Sequence, residues 1–84
     1  MKPKPVGWHV YVVQCSDGSL YTGIAKDVQK RVSQHNMGRG AKYTHGRLPV
    51  VLKAQWDMAS HSAALKEEYR IKQLSRAEKL LLLP

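Results

Sequence analysis

Two short runs of β-branched and aromatic residues, WHVYVVQC (8–15) and LYTGI (20–24), are separated only by Ser16-Asp17-Gly18-Ser19. Asp-Gly between such runs is a strong short-range signal for an antiparallel hairpin. That hairpin constrains everything downstream, because two strands are at best marginally stable in water and need further elements to cover them. The returning strand also sets a puzzle. Gly23 stands inside it, where a glycine gives up packing and costs entropy. Either Gly23 serves a β-bulge, or something comes close to the backbone there.

The remaining chain supplies the cover. Asp27 is a good N-cap for a helix over VQKRVSQHNM, and Gly38 is a natural stop. Residues 38–48 read as a Gly-rich basic loop. Pro49 opens VVLKAQW, a third strand. Ser60 or Ser62 caps a helix running through AALKEEYRIKQL. Ser75 to Glu78 form a capping box that starts a last short helix, AEKLLLL. The predicted order is β-β-α-β-α-α, an α+β fold in which a small three-stranded sheet is flanked by helices. Its 84 residues make a single domain, 1–84, with 1–7 as a loose start.

Function classes narrow quickly. No apolar run approaches the ~18 residues of a membrane span. The start lacks the apolar core of a signal peptide, and the single Cys15 cannot staple its own fold. The expectation is a cytoplasmic protein with no membrane partner. There is no CxxC, HxxxH, P-loop or dinucleotide fingerprint, so no small-molecule cofactor is expected. Fourteen Lys and Arg against six acids leave a net charge of +8. Such an excess favours polyanions through phosphate contacts and counterion release, although a merely basic surface has the same composition.

Several polar residues fall in apolar places. On the first helix Val28 and Val32 make the core stripe, and His35 continues it one turn along, with Arg31 on its flank. His35 is either a satisfied boundary histidine or a functional one; Arg31 is either a snorkelling stem or a functional cation. On the later helix Ala64, Leu65, Tyr69, Ile71 and Leu74 make an apolar stripe with Glu68 near its middle and Glu67 on its edge. A carboxylate there needs a partner. It has one in Lys72 at i+4, or it lines a pocket and holds a divalent metal. Tyr11 and Tyr21 stand on the paired hairpin strands, as an aromatic pair or as site residues. The loop carries Arg39, Lys42, Tyr43, Thr44 and Arg47, a mixture of cations and an aromatic suited to phosphate contacts and base stacking. A solvated loop is the plain alternative.

Two tyrosines ten apart on a hairpin, Arg and His four apart on a helix, and a Glu on a later helix together resemble the GIY-YIG endonuclease family, its small stand-alone bacterial branch in particular. His9-Val10-Tyr11 stands for the first signature, with His9 where the family has glycine. Tyr21-Thr22-Gly23 stands for the second, and RVSQH and EYRIK supply Arg31, His35 and Glu68. The resemblance runs from about Trp8 to Leu83. It implies metal-dependent hydrolysis of phosphodiester bonds. Glu68 would be the sole protein ligand of one Mg²⁺ or Mn²⁺, and Arg31 would hold the scissile phosphate. Tyr11 or His35 would be the general base, Tyr21 would orient water or phosphate, and Gly23 would be structural. Arg39, Lys42, Tyr43, Thr44, Arg47 and Lys72 would contact nucleic acid. The expected partner is DNA, single-stranded or branched, in repair, recombination or uptake, and the chain is expected to act as a monomer. The alternative is a non-catalytic nucleic-acid-binding module on the same fold.

Overall fold

A computed structural model describes residues 7–84; the expected loose start over 1–7 lies, but for Gly7, outside the described residues. The elements are β1 (Trp8–Gln14), β2 (Leu20–Ala25), α1 (Val28–Asn36), α2 (Lys42–His45), β3 (Val51–Met58), α3 (His61–Lys72) and α4 (Arg76–Leu82). The sheet is antiparallel with order β2-β1-β3. The fold is α+β, with the predicted three strands and helices in the predicted order. α2 is the addition: one helical turn inside the basic loop.

β1 is central because it is apolar on both sides. Val10, Tyr11, Val12 and Val13 are all buried, and alternate residues serve opposite faces. On one face Tyr11, Val13 and Cys15 pack with Ala25, Val28 and Val50. On the other Val10 packs with Ala64 and Ile71, edged by Trp8, Ile24, Trp56 and Met58. The sheet is therefore a middle layer between α1 and α3.

Caps place the helices. The Asp27 carboxylate accepts from the Lys30 N–H, and Ser60, not Ser62, caps α3 by accepting from the Ala63 N–H. The capping box of Ser75 and Glu78 forms as expected. Asn36 does what a strand residue would do. Its side-chain amide donates to the Val50 carbonyl at 3.0 Å and accepts from the Val50 N–H at 2.7 Å, which fastens the end of α1 to the start of β3.

One expectation needs correction, and one open question is answered. The α3 stripe is narrower than the wheel suggests: Ala64 and Ile71 are buried, but Leu65 and Tyr69 are exposed, because α3 rests on the small sheet along a single line. The β1–β3 pairing carries its irregularity at Val12/Val13, whereas Gly23 pairs regularly with Tyr11. Gly23 is not a bulge. Among the described residues no helix is long and apolar enough to cross a membrane.

Thr22 is buried, and its hydroxyl has no hydrogen-bond partner among the described residues. An unsatisfied buried hydroxyl is destabilising relative to a methyl of the same shape. Thr22→Val is therefore expected to raise the unfolding free energy by about 1 kcal/mol, read as a higher midpoint in urea with an unchanged slope.

Candidate active site

The hairpin register explains the Tyr-x-Gly pattern. Tyr11 faces Gly23 and Val13 faces Tyr21, so Tyr11, Tyr21 and Gly23 share one face. The Tyr11 ring lies across Gly23. A Cβ there would stand 2.6 Å from the phenol oxygen and 2.7 Å from Cζ, closer than any real contact. The close neighbour that Gly23 admits is a tyrosine ring. Tyr21 is the diagonal neighbour, with ring centroids 6.5 Å apart.

From α1, His35 reaches the same place and is fully buried. Its Nε2 lies 2.8 Å from the Tyr11 hydroxyl, and its Nδ1 lies 2.8 Å from Thr44 Oγ1. The Ala41 N–H also points at Nδ1, at 3.3 Å, and the Thr44 hydroxyl donates to the Ala41 carbonyl at 2.9 Å. Tyr11, His35 and Thr44 thus form one buried hydrogen-bonded line. When the Thr44 proton is on Ala41 O, Nδ1–H donates to Thr44 and the phenol donates to Nε2. In the other tautomer Nδ1 accepts and Nε2–H donates to the phenol oxygen. Thr44 can partner Nδ1 in both, but the Ala41 N–H donates to Nδ1 only in the second; in the first, Nε2 carries no proton and can receive one.

Gly40 makes the fit possible. A Cβ at Gly40 would come 2.5 Å from His35 Cγ and 2.8 Å from its Cα. The Gly-Ala-x-Tyr-Thr run is therefore the socket of His35. The sequence reading missed that role, since nothing local links Gly40 to a histidine five residues back on a helix. Thr44, expected on nucleic acid, is buried and bonded to His35, so it has no surface to offer a ligand.

Electrostatics keep the pair neutral. Burial, with Tyr21 adding, pushes the Tyr11 phenol from 10.0 up to about 12, while Arg31 opposes the rise and Glu68 reinforces it. Burial, helped by the Arg31 charge, holds His35 below its ordinary 6.5. The Arg31 and Glu68 charges are thus both felt at the Tyr11 oxygen. Arg31 is half-buried and braced by Gln34 at 3.3 Å. Glu68 pairs with Lys72 at 3.4 Å, so the i,i+4 partner foreseen from the sequence is present.

Other expected contacts are arranged differently. Arg39 and Lys42 are exposed. Tyr43 stacks on Tyr21, with ring centroids 5.9 Å apart and planes 22° apart, and Arg47 covers it at 4.2 Å. Arg47 is held there by Asp17 at 3.1 Å and by the Tyr43 carbonyl at 2.7 Å. Tyr43 stays 41% exposed with these two neighbours against its ring, and a base stacking on the Arg47 side would have to displace Arg47. Lys72 lies 5.6 Å over the Tyr21 ring. Among the described residues no three His, Cys, Asp or Glu side chains gather into a metal cage. One hard oxygen ligand, Glu68, fits a cation such as Mg²⁺, which keeps most of its own water.

The GIY-YIG catalytic domain family matches the chain over residues 7–80. A UPF0213 protein of Halobacterium salinarum is 61% identical over 71 residues, covering 84% of this chain and 92% of its own length. A UPF0213 protein of Staphylococcus saprophyticus is 55% identical over 75 residues, covering 89% and 92%. The solution NMR structure of the UPF0213 protein from Bacillus halodurans superposes with a TM-score of 0.58 at 47% identity, covering 89% of this chain and 80% of that one.

Two outcomes follow from the buried line. Gly40→Ala is expected to destabilise the fold by roughly 1–3 kcal/mol or more, whereas Gly46→Ala, where a Cβ meets nothing within 4 Å, stays within about 0.5 kcal/mol; denaturant melts compare them. Stability should also be level from neutral pH to near 10. A depressed histidine makes the unfolded chain the better proton binder, so stability falls as pH drops below 6.5. A raised tyrosine contributes fully below 10.0 and loses its contribution towards 12. Tyr11→Phe should flatten the alkaline decline in melts taken across pH.

Proposed function

This chain belongs to the GIY-YIG catalytic-domain family, a nuclease superfamily whose members bind nucleic acid and generally use a divalent metal, and on that premise we propose that it is an endonuclease hydrolysing phosphodiester bonds in single-stranded or branched DNA. The observation that carries the proposal is the buried Tyr11–His35–Thr44 line with Arg31 and Glu68 acting on the same phenol. A site needed only for packing gains nothing from burying three polar side chains together.

A phenol held near 12 is a poor base if it must first become a free phenolate. The hydrogen bond to His35 offers another route. As water attacks the phosphorus, its proton passes to the Tyr11 oxygen and the Tyr11 proton passes to His35 Nε2, so no free phenolate forms. The resulting imidazolium is held at Nδ1 by Thr44. Arg31 holds the phosphate by its planar fork, and Tyr21, fixed between Tyr43 and Lys72, orients water or phosphate. The P–O bond to the leaving sugar oxygen breaks as the new one forms. Glu68 would hold one Mg²⁺ or Mn²⁺, which supplies Lewis-acid stabilisation of the leaving oxygen. Binding it requires Lys72 to let go of the carboxylate. A single-stranded or distorted substrate, a cytoplasmic setting and action as a monomer belong to the same proposal.

A cleavage panel tests this with single-stranded, duplex and branched DNA in Mg²⁺ or Mn²⁺. Wild type should cut, EDTA should stop it, and Glu68→Ala and Tyr11→Phe should each lower the rate by about 100-fold or more. The rate should fall on the acid side with an apparent pKa below 6.5. DNA binding without cleavage, unaffected by Glu68→Ala, would instead leave a non-catalytic module.

A further inference from the structure

Beside the catalytic face, two adjoining cavities run between the β2 edge and the α3–α4 corner. One, of about 340 Å³, is lined by Leu20, Tyr21, Tyr43, Lys72 and Lys79 among others; the next, of about 230 Å³, shares Leu20, Tyr43 and Lys79 and adds Arg76. Shared walls make them one cleft that begins at Tyr21. No acidic residue lines either part. Lys72, Arg76 and Lys79 come from the end of α3 and the first turns of α4, and the sequence reading named no site residue on α4.

These cations are not equally free. Lys72 is shared between Glu68 and the Tyr21 ring. Arg76 donates to the Gly18 carbonyl at 2.8 Å, which ties α4 to the β1–β2 turn and closes one end of the cleft. Lys79 is half-buried and has no carboxylate partner among the described residues. Its neighbour Glu78 is occupied in the capping box with Ser75. A cation drawn partly out of water with no counter-ion attracts an anion.

We propose that this cleft binds the sugar-phosphate backbone of one DNA strand flanking the scissile bond, with Lys79 as its principal phosphate contact. The proposal rests on the nuclease reading for the identity of the strand. Charge complementarity sets the chemistry: phosphates meet Lys72 and Lys79, and sugars meet Leu20 and the aromatic edges. Because Tyr21 and Arg47 already pack against Tyr43, the cleft reads the backbone and is tolerant of base sequence.

The experiment is anisotropy of a fluorescein-labelled oligothymidine with the full chain in EDTA, where cleavage cannot interfere, across a salt series. Lys79→Ala is expected to weaken binding several-fold at low salt and to reduce the slope of log K against log salt by about 0.7, the value for one single-strand phosphate contact. Lys79→Glu should weaken it further. Lys53→Ala, on the opposite edge strand, should match wild type. Equal effects of Lys79→Ala and Lys53→Ala, or none from either, would overturn the proposal. Tighter binding of oligouridine, with the Lys79 effect confined to it, would overturn the choice of DNA. If wild type cuts nothing with metal and the Lys79 effect persists, only the nuclease reading fails. If wild type cuts and Lys79→Ala binds normally, only the cleft fails.

Discussion

The hydrogen bond between Tyr11 and His35, 2.8 Å long and fully buried, is the contact around which the rest is arranged. It joins the central strand to the first helix. For it to form, two backbones must give way. Gly23 leaves room on β2 for the phenol ring, and Gly40 leaves room in the connection after α1 for the imidazole. Thr44 then closes the far side of the ring. A buried polar group without a partner is destabilising by about 1–3 kcal/mol, so the three side chains support one another only as a complete set.

The same burial that makes the line stable also makes it chemically quiet at rest. Desolvation raises the tyrosine and depresses the histidine, so both are neutral near pH 7. Arg31 favours the phenolate and Glu68 disfavours it. A ligand that engages either charge shifts that balance, which is how substrate and metal binding would be felt at the tyrosine oxygen. Positive charge then continues outward through Lys72 to Lys79, along the cleft that flanks the candidate site.

Much of this was legible in the chain. Asp-Gly between two β-branched runs specified the hairpin, and helical spacing put His35 on the Val28–Val32 stripe. Capping residues located three helices, and the mid-stripe position of Glu68 marked it as needing a partner, which Lys72 supplies. What escaped the local reading was much of what residues far apart make together. Thr44 looked like a loop hydroxyl facing solvent. Tyr43 looked like a free stacking platform, because the Arg47 that covers it is placed by Asp17, thirty residues earlier. Leu65 and Tyr69 were assigned to a core too small to reach them.

Sequence alone determined the kinds of element, their order and the residue types available for chemistry, because hairpin turns, caps and helical periodicity act over a few residues. It also marked Gly23 as anomalous. Only the tertiary structure decided why. Strand register set Tyr11 against Gly23, and the packing of α1 on β1 brought His35 to that phenol. The turn of α2 then brought Thr44 to the other side of the imidazole. These depend on which backbones approach within contact distance, and close approach between distant segments leaves no period or motif to read, only a glycine where a side chain would not fit.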